Sequence, residues 1–253
     1  MARKITVNII GGGNVATHLI REFLRNPEIE INQFYSRNLD QIKEFEGIAP
    51  MINDISLLKP ADISIISISD DAVSKFSNQL KHYANLVVHT SGSVSIDDLK
   101  TKRKGVFYPF QTFSKAKKEI NFKEIPILIE AQNDKDLDLL ERLGNIISND
   151  VQVINSKQRM ALHIAGVLVA NFVNHLYYQA DKLLNNNELS FDLLKPLILE
   201  TAHKILTINP KNAQTGPAVR NDKMIIDKHL KFIDDKNLND IYRLLSKSIQ
   251  ENK

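Results

Sequence analysis

The strongest constraint on this chain is a run of three glycines that directly follows its first apolar stretch. Residues 5–10 read Ile-Thr-Val-Asn-Ile-Ile, a composition typical of a β-strand, and Gly11-Gly12-Gly13 comes immediately after them. A helical apolar pattern then begins at Asn14 and ends near Arg25. Strand, glycine turn and helix in this order are typical of the first unit of a doubly wound α/β sheet.

The sequence keeps alternating between strand and helix patterns up to about residue 153. After the first strand, the segments with strand composition are 31–35, 61–69, 86–89, 106–108 and 125–129. This alternation predicts an α/β fold with a doubly wound parallel sheet. We therefore assign residues 1–154 to a first, sheet-containing domain.

The remaining hundred residues have a different sequence pattern. Residues 156–184 keep one helical apolar pattern without proline, and further helices are predicted at about 191–206, 221–234 and 237–250. Residues 155–253 are therefore predicted to form an all-helical domain. A first helix of about 42 Å outgrows so small a domain and commonly packs against another subunit, so we expect a homodimer through the helical domain.

Composition excludes several classes of protein. Apolar residues make up 43% and charged residues 25% of the chain, as in a soluble globular protein. Lys and Arg (33) exceed Asp and Glu (30) by only three, which argues against a nucleic-acid partner. The longest unbroken apolar run, 164–170, is far shorter than the roughly 20 residues that cross a bilayer. We therefore expect a cytoplasmic protein with no membrane partner.

The absence of cysteine removes further possibilities. Without it, disulfides, thiolate metal sites and a cysteine nucleophile are impossible. The seven histidines show no spacing typical of a metal site, so no metal is expected.

The glycine turn has the spacing of a dinucleotide-binding site, G-x-G-x-x-A. Gly11 supplies free backbone torsions, and Gly13 lets the chain approach a pyrophosphate. The main-chain N–H groups near Asn14 and Val15 would face the diphosphate, where the helix dipole also favours negative charge. The alternative is a glycine-rich turn that binds another ligand.

The residues after the second strand indicate which dinucleotide binds. An NAD site usually has Asp or Glu there for the adenosine ribose, whereas this chain has Tyr35-Ser36-Arg37-Asn38. Arg37 and Ser36 suit a 2′-phosphate, so NADP is favoured, although Arg37 could simply be a solvated surface residue. Ser69, at the end of residues 61–69, is predicted either to meet the cofactor ribose or only to cap a helix.

The whole chain resembles the Rossmann-like family that carries a DUF2520 C-terminal domain. This family is a branch of the 6-phosphogluconate-dehydrogenase-like and pyrroline-5-carboxylate-reductase-like superfamily. The motifs that carry the resemblance are GGGNVA, His89-Thr90-Ser91-Gly92-Ser93, Tyr108-Pro109-Phe110-Gln111-Thr112-Phe113, Leu162-His163, Asn171-Phe172-Val173-Asn174-His175-Leu176, and Gln214-Thr215-Gly216-Pro217-Ala218 before Arg220-Asn221-Asp222. It implies an NADP-binding Rossmann domain, a helical dimerisation domain and a substrate cleft between them.

Catalytic candidates lie on the predicted long helix. Relatives that reduce hydroxy acids place a Lys and an Asn four residues apart there, a pair that this chain lacks. The nearest equivalents by spacing are Arg159 and His163, and Asn174 returns to the same face of an ideal α-helix. Gly166 and Ala170 on that face would leave room for a ligand. His163 could donate a proton and Arg159 could hold a carboxylate; a hydrogen-bonded core histidine and an ion-paired arginine are the alternatives.

Further polar residues are predicted to bind the substrate. They are His89, Ser91, Gln111, Thr112, Asn171 and Arg220. His89 ends a predicted strand, where ligands of doubly wound folds bind, whereas Ser91 could equally cap a helix. Arg220 could bind an anionic substrate or form a salt bridge with Asp222.

These features together predict an NADP-dependent oxidoreductase that reduces a small keto or imino acid by hydride transfer in the interdomain cleft. The alternative is an NADP-binding sensor or scaffold without turnover, which the missing Lys and Asn pair would suit.

Overall fold

The computed structural model describes residues 3–117 and 119–252. The chain forms two compact units, Met1–Ala170 and Asn171–Lys253. The division between them falls inside the long helical stretch. The domain boundary between residues 154 and 155 stays a prediction.

The first unit is built on one eight-stranded sheet with the order β3-β2-β1-β4-β5-β6-β7-β8. Its strands are β1 Ile5–Ile10, β2 Ile29–Tyr35, β3 Met51–Ile52, β4 Ile63–Ile66, β5 Leu86–His89, β6 Lys104–Pro109, β7 Ile127–Ala131 and β8 Val151–Val153. Strand β1 pairs in parallel with both β2 and β4, so the strand order reverses beside it. This is the point at which doubly wound sheets bind ligands, and the predicted α/β fold is confirmed.

The sheet differs from the prediction in two places. Strands β3 and β8 have two and three residues, too few for a sequence pattern to reveal. Strands β6 and β7 pair antiparallel, whereas an all-parallel sheet is predicted. A parallel pair needs a crossover, usually a helix, and the described part of the connection contains only a short 3-10 segment, Phe122–Glu124.

The α-helices are α1 Asn14–Leu24, α2 Asp70–Ser77, α3 Asp134–Ile147, α4 Ser156–Gly166, α5 Val173–Asn185, α6 Lys195–Thr207, α7 Pro210–Ala213, α8 Lys223–Phe232 and α9 Lys236–Glu251. In the first unit they cover both faces of the sheet. Val7 and Ile9 of β1 join one apolar cluster, whereas Ile10 joins Val73 and Phe76 of α2 in another. Alternating side chains of a central strand are therefore buried on opposite faces.

The long helical stretch is not one regular α-helix. Residues Val167–Phe172 between α4 and α5 form a π-helical segment. A π-helix has more residues per turn than an α-helix, so an α-helical wheel does not hold across it. The predicted alignment of Asn174 with His163 therefore loses its geometric basis.

The stretch Ser156–Asn185 is long and apolar enough to cross a membrane by length and composition alone. Long core helices of soluble proteins pass the same test. The cytoplasmic location stays a prediction.

Candidate functional site

A cleft of about 1040 Å³ opens at the carboxyl ends of β1, β2 and β4. All the residues predicted to bind a cofactor line this one cleft, namely Gly11, Gly13, Asn14, Val15, Ser36, Arg37 and Ser69. The structure thus brings together residues that are far apart in the sequence. It does so because β1 lies between β2 and β4.

The glycine turn forms the floor of the cleft. Gly11 has a φ of +124°, and a Cβ there would lie 2.1 Å from the Ser67 carbonyl oxygen, so only glycine fits. A Cβ on Gly13 would meet no atom within 4 Å, and no side chain caps the N-terminus of α1. The free main-chain N–H groups at the start of α1 therefore face open space. This arrangement fits a phosphate group.

The cleft carries two free positive charges. The side chains of Arg37 and Lys75 are exposed and line it, and neither forms an ion pair with any residue in the described ranges. The carboxylate of Asp70 also lines the cleft and accepts a hydrogen bond from the Ser93 hydroxyl. Lys75 was missed in the sequence, although its position one turn into the helix that follows β4 points toward this edge of the sheet.

Two serines of the cleft differ in availability. The Ser36 hydroxyl donates to the Asn38 carbonyl oxygen at 2.8 Å, so its proton is committed to the turn. The predicted donation from Ser36 to a 2′-phosphate would require this hydroxyl to turn away from Asn38, and it stays a prediction. Ser69 is the N-cap residue of α2 but makes no side-chain capping bond, and of its two predicted roles this leaves the hydroxyl free for a ligand.

His163 lies next to the loop that follows β5. Its Nδ1 is 3.2 Å from the Tyr108 hydroxyl oxygen. A Cβ on Gly92 would lie 2.5 Å from that same Nδ1, so the loop main chain packs directly on the ring. Thr90, two residues before Gly92, lines the cleft. The half-buried His163 is therefore separated from the cleft by one short loop.

Arg159 is buried and bound by other protein groups, unlike a side chain that is free to bind a substrate. Its side chain is 1% exposed and forms an ion pair with Glu130. Its other terminal nitrogen donates to the Val94 carbonyl oxygen at 2.6 Å and to the Ser156 hydroxyl at 3.1 Å. Because the charge is already compensated and buried, the geometry contradicts carboxylate binding by Arg159 and fits the ion-pair alternative. Glu130 was not singled out in the sequence.

His89 and Ser91 organise the loop after β5. The main-chain N–H of Ser91 donates to Nδ1 of the fully buried His89 at 3.1 Å. The Ser91 hydroxyl accepts from the N–H groups of Ser93 and Val94, both at 3.1 Å. Burial, together with the nearby Arg159 charge, lowers the pKa of His89 to about 4. Neither side chain is placed as a direct substrate ligand, because both are buried and serve the loop.

The segment after β6 holds the other predicted substrate ligands. Gln111 and Thr112 are exposed, and the Thr112 N–H donates to the Gln111 side-chain oxygen at 2.9 Å. Neither residue lines the cleft. The predicted space beside Gly166 is filled, since a Cβ there would lie 3.0 Å from the Phe110 ring.

The same segment is tied to α1. Asn14 donates its side-chain N–H to the Phe113 carbonyl oxygen at 2.9 Å, and His18 Nε2 lies 2.9 Å from the Ser114 carbonyl oxygen. The side chain of Asn14 is therefore used to hold this segment, and its main-chain N–H is what it offers to the cleft.

Three predicted site residues belong to the second unit. Asn171, Asn174 and Arg220 are all exposed. The carboxylate of Asp222 accepts from the Ile225 N–H at 3.3 Å at the start of α8, and no salt bridge joins it to Arg220. The ligand roles of these three residues stay predictions.

Across residues 3–117 and 119–252, no group of three His, Asp or Glu side chains is arranged to hold a metal ion.

Comparison with known proteins adds a family. Residues 125–249 match DUF2520, described as a domain of unknown function. A proposed NADP oxidoreductase from Bacteroides fragilis is 38% identical over 98% of both chains, with a TM-score of 0.90. A protein from Thermotoga maritima is 22% identical over 97% of both chains, with a TM-score of 0.73.

A variant imine reductase from Myxococcus stipitatus, solved with NAD+, is 16% identical with a TM-score of 0.68, over 98% of this chain and 93% of that one. At this identity the likeness shows the fold alone. A search of curated proteins gives no significant match.

Proposed function

The chain belongs to the DUF2520 family, and from that premise we propose that it is an NADP-dependent oxidoreductase that reduces a small keto or imino acid. The observation that carries the proposal is the cleft at the start of α1. There a glycine turn, uncapped main-chain N–H groups and two unpaired cations face one space. The 38% identical protein from Bacteroides fragilis is itself a proposed NADP oxidoreductase, which agrees with this activity.

The residues of the cleft fit a phosphorylated dinucleotide. The main chain at Gly13 and the first turn of α1 would hold the diphosphate, and the free hydroxyl of Ser69 would meet a ribose. Arg37 and Lys75 favour an added 2′-phosphate over a bare ribose, because they bring positive charge to the cleft. Residues 36–39, directly after β2, also contain no carboxylate that would accept hydrogen bonds from ribose hydroxyls. When bound, the cofactor supplies the hydride.

The proton for the reduced carbonyl or imine would come from His163. Its Nδ1 is engaged by Tyr108, and Nε2 has no hydrogen-bond partner within the described part of the chain. Histidine is suited to this role because an imidazole ring can both donate and accept a proton. Arg220 carries a positive charge that no acidic group in the described ranges compensates, which favours an anionic substrate.

We further propose a homodimer formed through the helical unit, in the cytoplasm. Its support is the large number of exposed apolar side chains on the helices. Among them are Phe172, Leu197 and Leu206, with exposed fractions from 56% to 79%. Exposed apolar surface of this extent is typical of a protein interface.

The test has a binding arm and a turnover arm. Titration calorimetry with NADPH and NADH should show tighter NADPH binding, and Arg37→Asp should remove that difference by weakening NADPH at least tenfold. Lys102→Asp is the matched control, because Lys102 is exposed and lies outside the cleft. Equal losses for both nucleotides would contradict the 2′-phosphate role.

In the turnover arm, NADPH oxidation is followed at 340 nm with a panel of keto and imino acids. Oxidation with at least one of them supports a reductase. Tight NADPH binding without turnover across the panel would instead favour the sensor or scaffold.

A further inference from the structure

We propose that Tyr108 is a positioning residue that holds the ring of His163 by Nδ1, so that the proton is given and regained at Nε2. The proposal rests on the function proposed for His163, and it assigns a role to a residue that the cleft itself does not contain. The feature behind it is a tyrosine and a histidine that meet away from the glycine turn.

The His163 ring is fixed from two directions. Tyr108 Oη lies 3.2 Å from Nδ1, and the two rings meet edge to face at 64° with centroids 6.3 Å apart. The main chain of Gly92 also packs against the side chain, so close that a Cβ there would overlap Nδ1, Cγ and Cβ of His163. A larger residue than Gly92 would therefore displace the ring.

The chemistry of the pair determines which nitrogen exchanges the proton. A phenol both donates and accepts, so Tyr108 can satisfy Nδ1 whether or not that nitrogen carries a proton. Burial raises the pKa of Tyr108, with Asp70 adding to the rise and Arg159 opposing it, so the hydroxyl keeps its proton near neutral pH. In the neutral ring Tyr108 therefore donates to Nδ1, and the ring proton lies on Nε2.

In the reduction, charged His163 gives its Nε2 proton to the oxygen or nitrogen of the substrate. The carbon of the same double bond gains the hydride, so one C–H and one O–H or N–H bond form and the π bond breaks. The ring is briefly left neutral with its proton on Nδ1, where the Tyr108 oxygen accepts that hydrogen bond. This transient form differs from the resting neutral ring, whose proton lies on Nε2. Nε2 then regains a proton from solvent.

The pair can be tested without cofactor or substrate. Long-range ¹H–¹⁵N NMR of the histidine-labelled full chain in alkaline buffer reports which nitrogen is protonated, and His163→Gln assigns the signals. In the native chain we expect Nε2 to be protonated and Nδ1 to show the upfield shift of a hydrogen-bond acceptor. Tyr108→Phe should move Nδ1 downfield by several ppm.

Phe110→Leu is the matched control. The Phe110 ring contacts Tyr108 edge to face, with centroids 6.0 Å apart, but makes no hydrogen bond to His163. Its substitution should leave the Nδ1 signal in place. An Nδ1 signal that does not respond to Tyr108→Phe, or that responds equally to Phe110→Leu, overturns the proposal.

Failure of this pair and failure of the oxidoreductase proposal are distinguishable, because the NMR readout needs no turnover. Once a substrate is identified, Tyr108→Phe should lower kcat about tenfold with KM unchanged. A rise in KM at constant kcat would contradict positioning of the proton donor.

Discussion

The two compact units differ sharply in how they bury their side chains. The first packs two apolar clusters against the faces of its sheet. Within residues 171–252 only Gln179 and Ala218 are buried, and helices α6, α8 and α9 bury no residue at all. Since burial of apolar surface is the main favourable term in folding, the second unit gains less of this term from its own residues than the first. The first unit thus has its own apolar core, whereas most side chains of the second stay exposed within this chain.

The largest expected effect concerns ion pairs, whose contribution to the free energy of unfolding depends on their burial. Arg159→Met should lower the free energy of unfolding by about 3–5 kcal/mol, because it leaves the Glu130 carboxylate without its buried partner. Urea denaturation followed by circular dichroism measures this loss. The double variant Arg159→Met with Glu130→Met should recover part of the stability, since no uncompensated charge remains.

The matched control lies in the second unit. Lys182 and Asp235 form an ion pair at 2.8 Å, but both side chains are well exposed to water. Lys182→Met should leave the urea midpoint nearly unchanged. If Arg159→Met and Lys182→Met lower the free energy of unfolding by the same amount, the difference in burial between the two ion pairs does not affect stability.

The second test uses pH. His89 has a pKa of about 4 in the folded chain and about 6.5 when unfolded, so the unfolded state binds more protons between these values. The contribution of neutral His89 to the free energy of unfolding should therefore be complete above pH 6.5. It should fall by up to about 3 kcal/mol as the pH drops toward 4.

The comparison variant is His89→Asn, which removes the titrating ring. It should flatten the dependence of the unfolding free energy on pH in that window, whatever its effect at pH 7. The shifted groups of the second unit, Lys182 and Asp235, titrate outside the window and do not contribute. An unchanged slope in His89→Asn would show that burial of this ring does not set the acid sensitivity.

The smallest expected effect concerns exposed leucines. Leu206 of the second unit is 79% exposed and Leu57 of the first is 59% exposed. Leu206→Asp should weaken self-association about tenfold, or 1.4 kcal/mol, since it puts a charge on the proposed interface. Leu57→Asp should leave the mass measured by light scattering unchanged. A protein that is monomeric at every concentration would contradict the dimer.

Features of the fold that depend on neighbouring residues can be predicted from the sequence, whereas features that depend on residues distant in the sequence cannot. Strand β1, the glycine turn and the start of α1 are specified by neighbouring residues, so their pattern is visible in the sequence. The residues predicted to bind a cofactor could be identified for the same reason, since they lie in the turns after β1, β2 and β4 or at the start of α1. Strand β8, with three residues, has no pattern to detect.

The roles of Arg159, Lys75 and Tyr108 depended on contacts that no local pattern reveals. Arg159 is neutralised by Glu130 of β7, and Lys75 lines the cleft because β4 lies beside β1. Tyr108 meets His163 across 55 residues of sequence. Such pairs follow from strand order and from the direction of β6 against β7.

The sequence by itself determined the α/β class, the glycine turn at Gly11 and the helical character of the C-terminal hundred residues, because backbone torsion and apolar period are local properties. Only the tertiary structure decided which charges stay free and which are paired. It left Arg37 exposed at the cleft and buried Arg159 against Glu130, since the free energy of a charge depends on the groups that folding brings around it.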